Sequence, residues 1–248
     1  MKILSLFNRE NPVMTQSQIA RKLDLNMTST YRYINTLVEL GYLEKSATTK
    51  EIRPAILCLL FCANLMRATD HLRMIKEVVD RIHSENNISI DVAFAMDDTL
   101  VRIYYRGAEE TLTYSLPDFS KNSLHNTALG KAYLSSLPDD RIADKIESLD
   151  LKPKTPNTIL DKAILVEEIK KSKERKFAMS REEYLPGLIT ISAPLFDPLT
   201  AKGVGAVCFD FSLLQHSAAD VKAKYKDMIR ETAEELSQLL PPDRTRRR

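Results

Sequence analysis

Residues 14–53 constrain this chain more than any other stretch, because they encode two short helices, a tight turn and a basic hairpin in succession. Thr15-Gln16-Ser17-Gln18 has the capping-box form, in which Thr15 and Gln18 satisfy each other's orphan backbone amides. Met14 and Ile19 stand at the staple positions around it, so the helix start is specified twice. Ile19, Ala20 and Leu23 carry that helix to a turn at Asp24-Leu25-Asn26. Asn26 then caps a second helix ending at Leu40, with Gly41 as its breaker. Two short helices across a three-residue turn fit the helix-turn-helix motif, and that motif implies duplex DNA as partner.

Spacing divides the second helix into two faces. Thr30, Ile34 and Leu37, joined by Tyr33 and Leu40, are expected to pack against the first helices. Thr28, Ser29, Arg32, Asn35, Thr36 and Glu39 remain outward, and Tyr31 lies at the border. In this motif the leading turn of the second helix meets base edges, where Thr28 and Ser29 donate or accept and Arg32 can fork onto guanine. Tyr31 is placed to reach a phosphate or a thymine methyl. Residues 42–45 and 50–53 flank Ser46-Ala47-Thr48-Thr49 as a hairpin, the wing of a winged helix. There Lys45, Thr48 and Lys50 are candidates for phosphate contacts, which position a protein without reading sequence. Charge follows the same division: residues 1–67 carry a net +4, residues 68–242 a net −5, and the tail 243–248 a net +3. The positive field is confined to the head and the tail, which gives the DNA-binding reading only weak support.

With 248 residues and 44% hydrophobic content, one small and one medium domain is the natural division. The strongest apolar run, residues 55–63, is far shorter than a membrane span. The segment Met1-Lys2-Ile3-Leu4-Ser5-Leu6-Phe7 lacks the features of a signal peptide and reads as a first helix of the head. Three cysteines do not make a disulfide framework, which suits a reducing cytoplasm. Cys58 and Cys62 lie one helical turn apart, but in an apolar helix they read as small packing residues, so no metal and no cofactor is expected.

Beyond the wing, Pro54 can start a helix over 55–69, and 71–84 shows a second helical pattern with Leu72, Ile75, Val78, Val79 and Ile82 on one face. The apolar content of these helices suits a dimer contact. Strands are expected at 88–95 and 100–106, with a possible further one at 112–115. Helices follow at 127–136, 139–147 and 161–175, then strands at 177–184, 188–196 and 203–211, and a final helix at 218–240. Hairpins, a block of helices and more strands indicate an α+β domain with a mostly antiparallel sheet. The expected divisions are a winged helix-turn-helix domain over 1–54, a linker helix over 55–70, a second, α+β domain over 71–242, which the family resemblance given below implies is for effector binding and oligomerisation, and a basic tail over 243–248.

Two constellations in the second domain carry chemistry. In Ser123-Leu124-His125-Asn126-Thr127-Ala128-Leu129-Gly130-Lys131, Asn126 can cap a helix whose first amides form an anion receptor, while small Ala128 lets a ligand approach. In the strands, Thr190 and Ser192 share a face opposite Ile189 and Ile191, and Cys208 and Asp210 share a face opposite Val207, Phe209 and Phe211. The polar face is either open to solvent or the floor of a small polar pocket. On paper His125, Asp210 and Cys208 make a nucleophile site, but no nucleophile elbow, phosphate loop or dinucleotide fingerprint accompanies them. Two other readings stand beside a DNA-binding regulator, the reading that the helix-turn-helix head supports: an enzyme acting through this domain, or a sensor or scaffold that keeps the head for dimerisation.

The head, the run His125-Asn126-Thr127-Ala128-Leu129-Gly130-Lys131-Ala132, and Glu182-Glu183-Tyr184-Leu185-Pro186-Gly187-Leu188 with Ser192-Ala193-Pro194-Leu195-Phe196-Asp197 together resemble the isocitrate lyase regulator (IclR) family. The resemblance covers nearly the whole chain in order. It implies a transcriptional regulator, more often a repressor than an activator, with a winged head on a GAF-like domain built on a curved antiparallel sheet. It also implies a homodimer or homotetramer on an inverted-repeat operator. By motif, the family's effector pocket maps to Tyr114, Ala128, Leu129, Ser180, Leu188, Thr190, Cys208 and Asp210. The family commonly has small hydroxyl residues where this chain has Cys208 and Asp210, and a Tyr-x-Leu-Gly run where it has Ile52-Arg53-Pro54-Ala55. A carboxylate at 210 repels a simple keto acid and favours a ligand with hydroxyls or an amine, such as a sugar acid.

Overall fold

The computed structural model describes residues 2–7, 11–68, 70–96, 99–109 and 122–240. The chain divides into two compact units, residues 1–73 and 74–248. The expected first helix is only a 3-10 turn, Leu4–Leu6, closed by i+3 bonds from Leu6 and Phe7. So short a segment lacks the length that lets an α-helix propagate.

The first α-helix, α1 (Gln16–Leu23), starts at Thr15, whose hydroxyl accepts from the Gln18 amide while the Gln18 side chain accepts from the Thr15 amide. Helix α2 (Met27–Glu39) follows, with Asn26 Oδ1 accepting from the Ser29 amide at 2.7 Å. Gly41 then takes φ +77°, a left-handed conformation that other residues adopt at a cost. The wing is an antiparallel pair, β1 (Leu43–Lys45) and β2 (Ile52–Pro54), and Ile52 also bridges back to Met14. Ile3, Met14, Ile19, Ile34, Leu43 and Ile52 form one small core. Thr30 and Ile34 are buried as expected, but Tyr33 and Leu40 are 56% and 57% exposed. At 100° per residue both stand on the flank beside Ser29 and Thr36, outside the arc centred on Ile34.

Helix α3 (Ile56–Ala68) remains in the first unit, packing Leu57 near Gly41 and the Phe61 ring edge-on to Tyr42. Ile56, Leu59, Leu60 and Phe61 are nevertheless exposed. Cys58 donates its thiol to the Tyr42 carbonyl, a packing role, and no group of His, Cys, Asp and Glu able to hold a metal occurs among the described residues.

The second unit is built on a sheet of β5 (Asn122–Ser123), β4 (Thr99–Arg106), β3 (Ser89–Met96), β8 (Gly203–Ser212), β7 (Leu188–Phe196) and β6 (Ala178–Arg181), in that spatial order and antiparallel throughout. Period-two alternation gives the sheet two faces of different character. Ile189, Ile191, Val207 and Phe209 pack against helices α4 (Asp70–Asn86) and α8 (Ala218–Gln238) through Ile75, Val79, Tyr225 and Ile229. The opposite face carries small residues, Ala93, Ala178 and Ala206, under α5 (Ala128–Ser135), α6 (Asp139–Glu147) and α7 (Lys162–Arg175). Small side chains there let α5 lie close to the strands. Gly130 serves the same closeness, since a Cβ on it would stand 2.4 Å from the Leu124 carbonyl oxygen. The possible strand at 112–115 and the tail at 243–248 lie outside the described residues.

Candidate functional site

The outward face of α2 is the first candidate site. Thr28, Tyr31, Arg32 and Thr36 are exposed there, and Ser29 and Asn35 are half-buried. Thr36 spends its hydroxyl hydrogen on the Arg32 carbonyl and keeps only acceptor capacity. Lys45 of the wing is half-buried, with its ammonium group 5.5 Å from the Tyr31 ring centroid. This cation–π contact joins the wing to the helix face that Arg32 shares. At the wing tip Thr48 and Lys50 are exposed, although the Thr48 hydroxyl is shared with Ser46 at 3.1 Å. Lys50 takes φ +59° as its amide closes the turn onto the Ser46 carbonyl. Glu44 and Glu51 lie on the same hairpin, and Arg53 is held by Glu44, so the wing's positive charge falls on Lys45 and Lys50.

The second candidate site lies between α5 and the sheet. Pairing Ser180 with Thr190, Thr190 with Asp210, and Asp210 with Ser89 lays one polar row across four strands. The next row pairs Ser192 with Cys208 and Cys208 with Asp91. These rows floor a cavity of about 30 Å³, whose walls are Ala128 and Leu129 of α5, Leu188 and Tyr184. Seven of the eight residues carried over by resemblance, Ala128, Leu129, Ser180, Leu188, Thr190, Cys208 and Asp210, thus stand around one space. Tyr114 lies outside the described residues. The polar strand face is therefore a pocket floor covered by α5, with Ser180, Thr190 and Cys208 buried and Asp210 half-buried.

Two charged residues at its centre were not legible beforehand. Asp91 reaches the cavity from β3, where it is 2% exposed, and Arg102 reaches it from β4. Arg102 donates from Nε to Asp91 Oδ2 at 2.7 Å, donates to the same oxygen from its terminal nitrogen, and lies over the Tyr105 ring. Asp91 Oδ1 is buried with no hydrogen-bond partner. Asp210 uses Oδ1 to accept from the Thr190 hydroxyl at 2.7 Å and, more weakly, from the Cys208 thiol. Burial raises its pKa to about 6, with the neighbouring Asp91 carboxylate adding to the rise and Thr190 opposing it. Burial also holds the Asp91 pKa up against Arg102, and pushes the Cys208 thiol well above its ordinary value.

The α5 terminus differs from the expected form. Thr127, not Asn126, is the cap: its hydroxyl accepts from the Gly130 amide and its carbonyl from the Lys131 amide. Asn126 is buried one residue earlier, with Oδ1 unpartnered. The shift follows from Thr127 taking the extended backbone that a cap needs, while its hydroxyl hydrogen goes back to the Ser123 carbonyl. The helix donors left for a ligand are the Ala128 and Leu129 amides.

His125 lies off the cavity, its two ring nitrogens engaged by the Ser123 hydroxyl and the Lys152 carbonyl. With His125 so held and the Cys208 thiol kept protonated, the nucleophile arrangement drawn from sequence does not form. The roof is fixed by a buried ion pair: Lys131 of α5, 1% exposed, donates to Glu183 Oε1 at 2.5 Å. The Glu183 carbonyl in turn accepts from the Thr158 hydroxyl. That pair holds the loop bearing Tyr184, so the run Glu182-Glu183-Tyr184 is structural support for the pocket wall. A wider surface groove of about 500 Å³ near Phe196 and Ser237 has basic neighbours, but Lys173 and Arg230 are already paired with Asp139 and Asp227.

Residues 1–47 match the family model of the IclR helix-turn-helix domain, and residues 64–238 match that of the bacterial transcriptional regulator IclR C-terminal domain. Among curated proteins, the HTH-type transcriptional regulator BhcR of Paracoccus denitrificans is 24% identical over 224 residues, spanning 90% of this chain and 80% of its own length. The HTH-type transcriptional regulator KdgR of Escherichia coli K12 is 20% identical, spanning 89% of this chain and 83% of its own. A solved ICLR-type regulator from Silicibacter sp. TM1040 superposes with a TM-score of 0.82 at 19% identity, covering 96% of this chain and 92% of that one. An IclR homolog of Microbacterium hydrocarbonoxydans, solved with 4-hydroxybenzoate, superposes with a TM-score of 0.72 at 16% identity, covering 96% of each chain.

Proposed function

Since this chain belongs to the IclR family of bacterial transcriptional regulators, we propose that it is a repressor released from its operator when a small polar metabolite fills the Asp210 pocket. It is a DNA-binding regulator and not an enzyme. Among the described residues no helix is long and apolar enough to cross a membrane. The proposed setting is the cytoplasm, and the proposed targets are genes of carbon catabolism.

The observation that carries the reading is the exposed polar face of α2, with Arg32 and Thr28 outward and Lys45 held against Tyr31 beside it. Arg32, Thr28 and Ser29 read bases, Tyr31, Asn35 and Thr36 flank them, and Lys45, Thr48 and Lys50 hold phosphates. Two heads in a homodimer, or four in a tetramer, meet an inverted repeat with half-sites roughly 34 Å apart. The exposed Ile56, Leu59, Leu60 and Phe61 of α3 favour such self-association. The effector is a small acid with hydroxyls or an amine, such as a sugar acid, because Asp210 and the α5 amides demand opposite partners. The relative solved with 4-hydroxybenzoate supports a ligand-binding role for this fold. Effector and operator are coupled only as far as the effector's affinity differs between the free and DNA-bound states.

Mobility shifts on the gene's own upstream region, with and without sugar acids, test the reading. A specific complex weakened by an acid is expected. Shifts no stronger than on random DNA would refute the regulator assignment of these residues.

A further inference from the structure

The pocket joins an electropositive wall to an electronegative floor. At the wall, the Thr127 hydroxyl and carbonyl have taken the Gly130 and Lys131 amides, leaving those of Ala128 and Leu129. On the floor, Ser89 is paired with Asp210 and Asp91 with Cys208, so Asp91 and Asp210 are diagonal neighbours on one face, a spacing of about 7 Å between their backbone positions. Among the described residues Arg102 is the cation lining this cavity, and it donates to Asp91 Oδ2. Asp91 Oδ1 is buried, without a partner, and Asp210 Oδ2 is left over once Oδ1 has taken Thr190 and Cys208.

We infer that the pocket selects a zwitterion: an amino acid whose carboxylate meets the Ala128 and Leu129 amides and whose ammonium group meets Asp210 and Asp91. A hydroxyl can donate to a carboxylate but brings no positive charge. A hydroxy acid would therefore add a further anion to a site where two carboxylates face one guanidinium. An ammonium group cancels that excess and supplies enough donors for both Asp210 Oδ2 and the orphaned Asp91 Oδ1. Burial is the main cause of the raised Asp210 pKa, and the neighbouring Asp91 carboxylate adds to it. The cavity's small volume favours a short amino acid, or a longer one that lifts the wall at Tyr184.

This inference rests on the pocket reading above and specifies its ligand class. The test is calorimetric titration of the full chain near neutral pH with two matched pairs, L-serine against L-glycerate and D-glucosaminate against D-gluconate. In at least one pair the amino acid should bind at least roughly tenfold more tightly than its hydroxy partner. Asp210→Asn should bring that pair to near parity. A hydroxy acid bound as well as or better than its amino partner in both pairs, or silence from all four, would overturn the inference. Failure of the pocket reading shows differently: ligand binding, or ligand-driven release from DNA, that neither Asp210→Asn nor Thr190→Val alters.

Discussion

The recognition face of α2 and the pocket under α5 use the same kinds of side chain in opposite ways. On α2 the polar groups come from nine consecutive residues, 28–36, stand in water and wait for a partner. In the pocket they come from strands, some of them more than a hundred residues apart, lie buried or half-buried, and are already partly matched to one another. The difference is energetic as well as geometric. Substitutions on the helix should change what the protein binds and leave its stability alone, whereas those around the pocket should register first in stability.

The largest effect is expected at Lys131. Lys131→Met leaves the Glu183 carboxylate buried without its ammonium partner and should cost about 3–5 kcal/mol in urea denaturation. Adding Glu183→Leu should restore most of that loss, because the orphaned charge is then gone. If the single variant is as stable as the parent, the pocket wall is not clamped in this way. Next, Arg32→Ala should weaken operator binding by about 1–3 kcal/mol and relax specificity, with the urea midpoint unchanged. Equal loss on operator and random DNA would move Arg32 from the base-reading to the phosphate-holding group and blur the contrast between the two regions.

Asp210→Asn should be smaller and of opposite sign. Its folded pKa of about 6 exceeds the ordinary 3.8, so ionisation destabilises the fold, increasingly as pH rises between those values and fully above them. The Asn variant should therefore be more stable by roughly 1–2 kcal/mol at neutral pH, an advantage that vanishes below about pH 4. An equal gain at both pH values would assign it to packing and not to charge. The smallest effect belongs to Lys50→Ala, which should weaken binding to every duplex alike and lower the salt dependence by about one phosphate contact.

Sequence legibility followed the same division. The Thr15–Gln18 box, the Asn26 cap and the wing hairpin are local patterns, and each was readable within a few residues of chain. The polar strand faces at Thr190 and Cys208 were readable too, because alternation along a strand fixes which side chains share a side. What escaped was the identity of neighbours across the sheet. The hairpin carrying Asp91 and Arg102 was expected, but nothing local says that Asp91 lies opposite Cys208, so the ion pair at the pocket's centre was invisible. Tyr184 belonged to a recognisable motif, yet its place at the cavity depends on the distant Lys131–Glu183 pair. The exposure of Tyr33 and Leu40 was missed for a related reason. A helix wheel gives angles but not the width of the core it meets, and this head has a narrow one.

The size of the cavity has a consequence for signalling. A receptor whose seat is nearly full before its guest arrives must rearrange to admit anything larger than a couple of solvent molecules. If the proposed effector binds here, part of each binding event would be spent on moving the Tyr184 wall, which would lower apparent affinity but tie occupancy to a change of shape. Loosening the clamp would make such a receptor more sensitive and less informative, since a guest that displaces nothing has little to report.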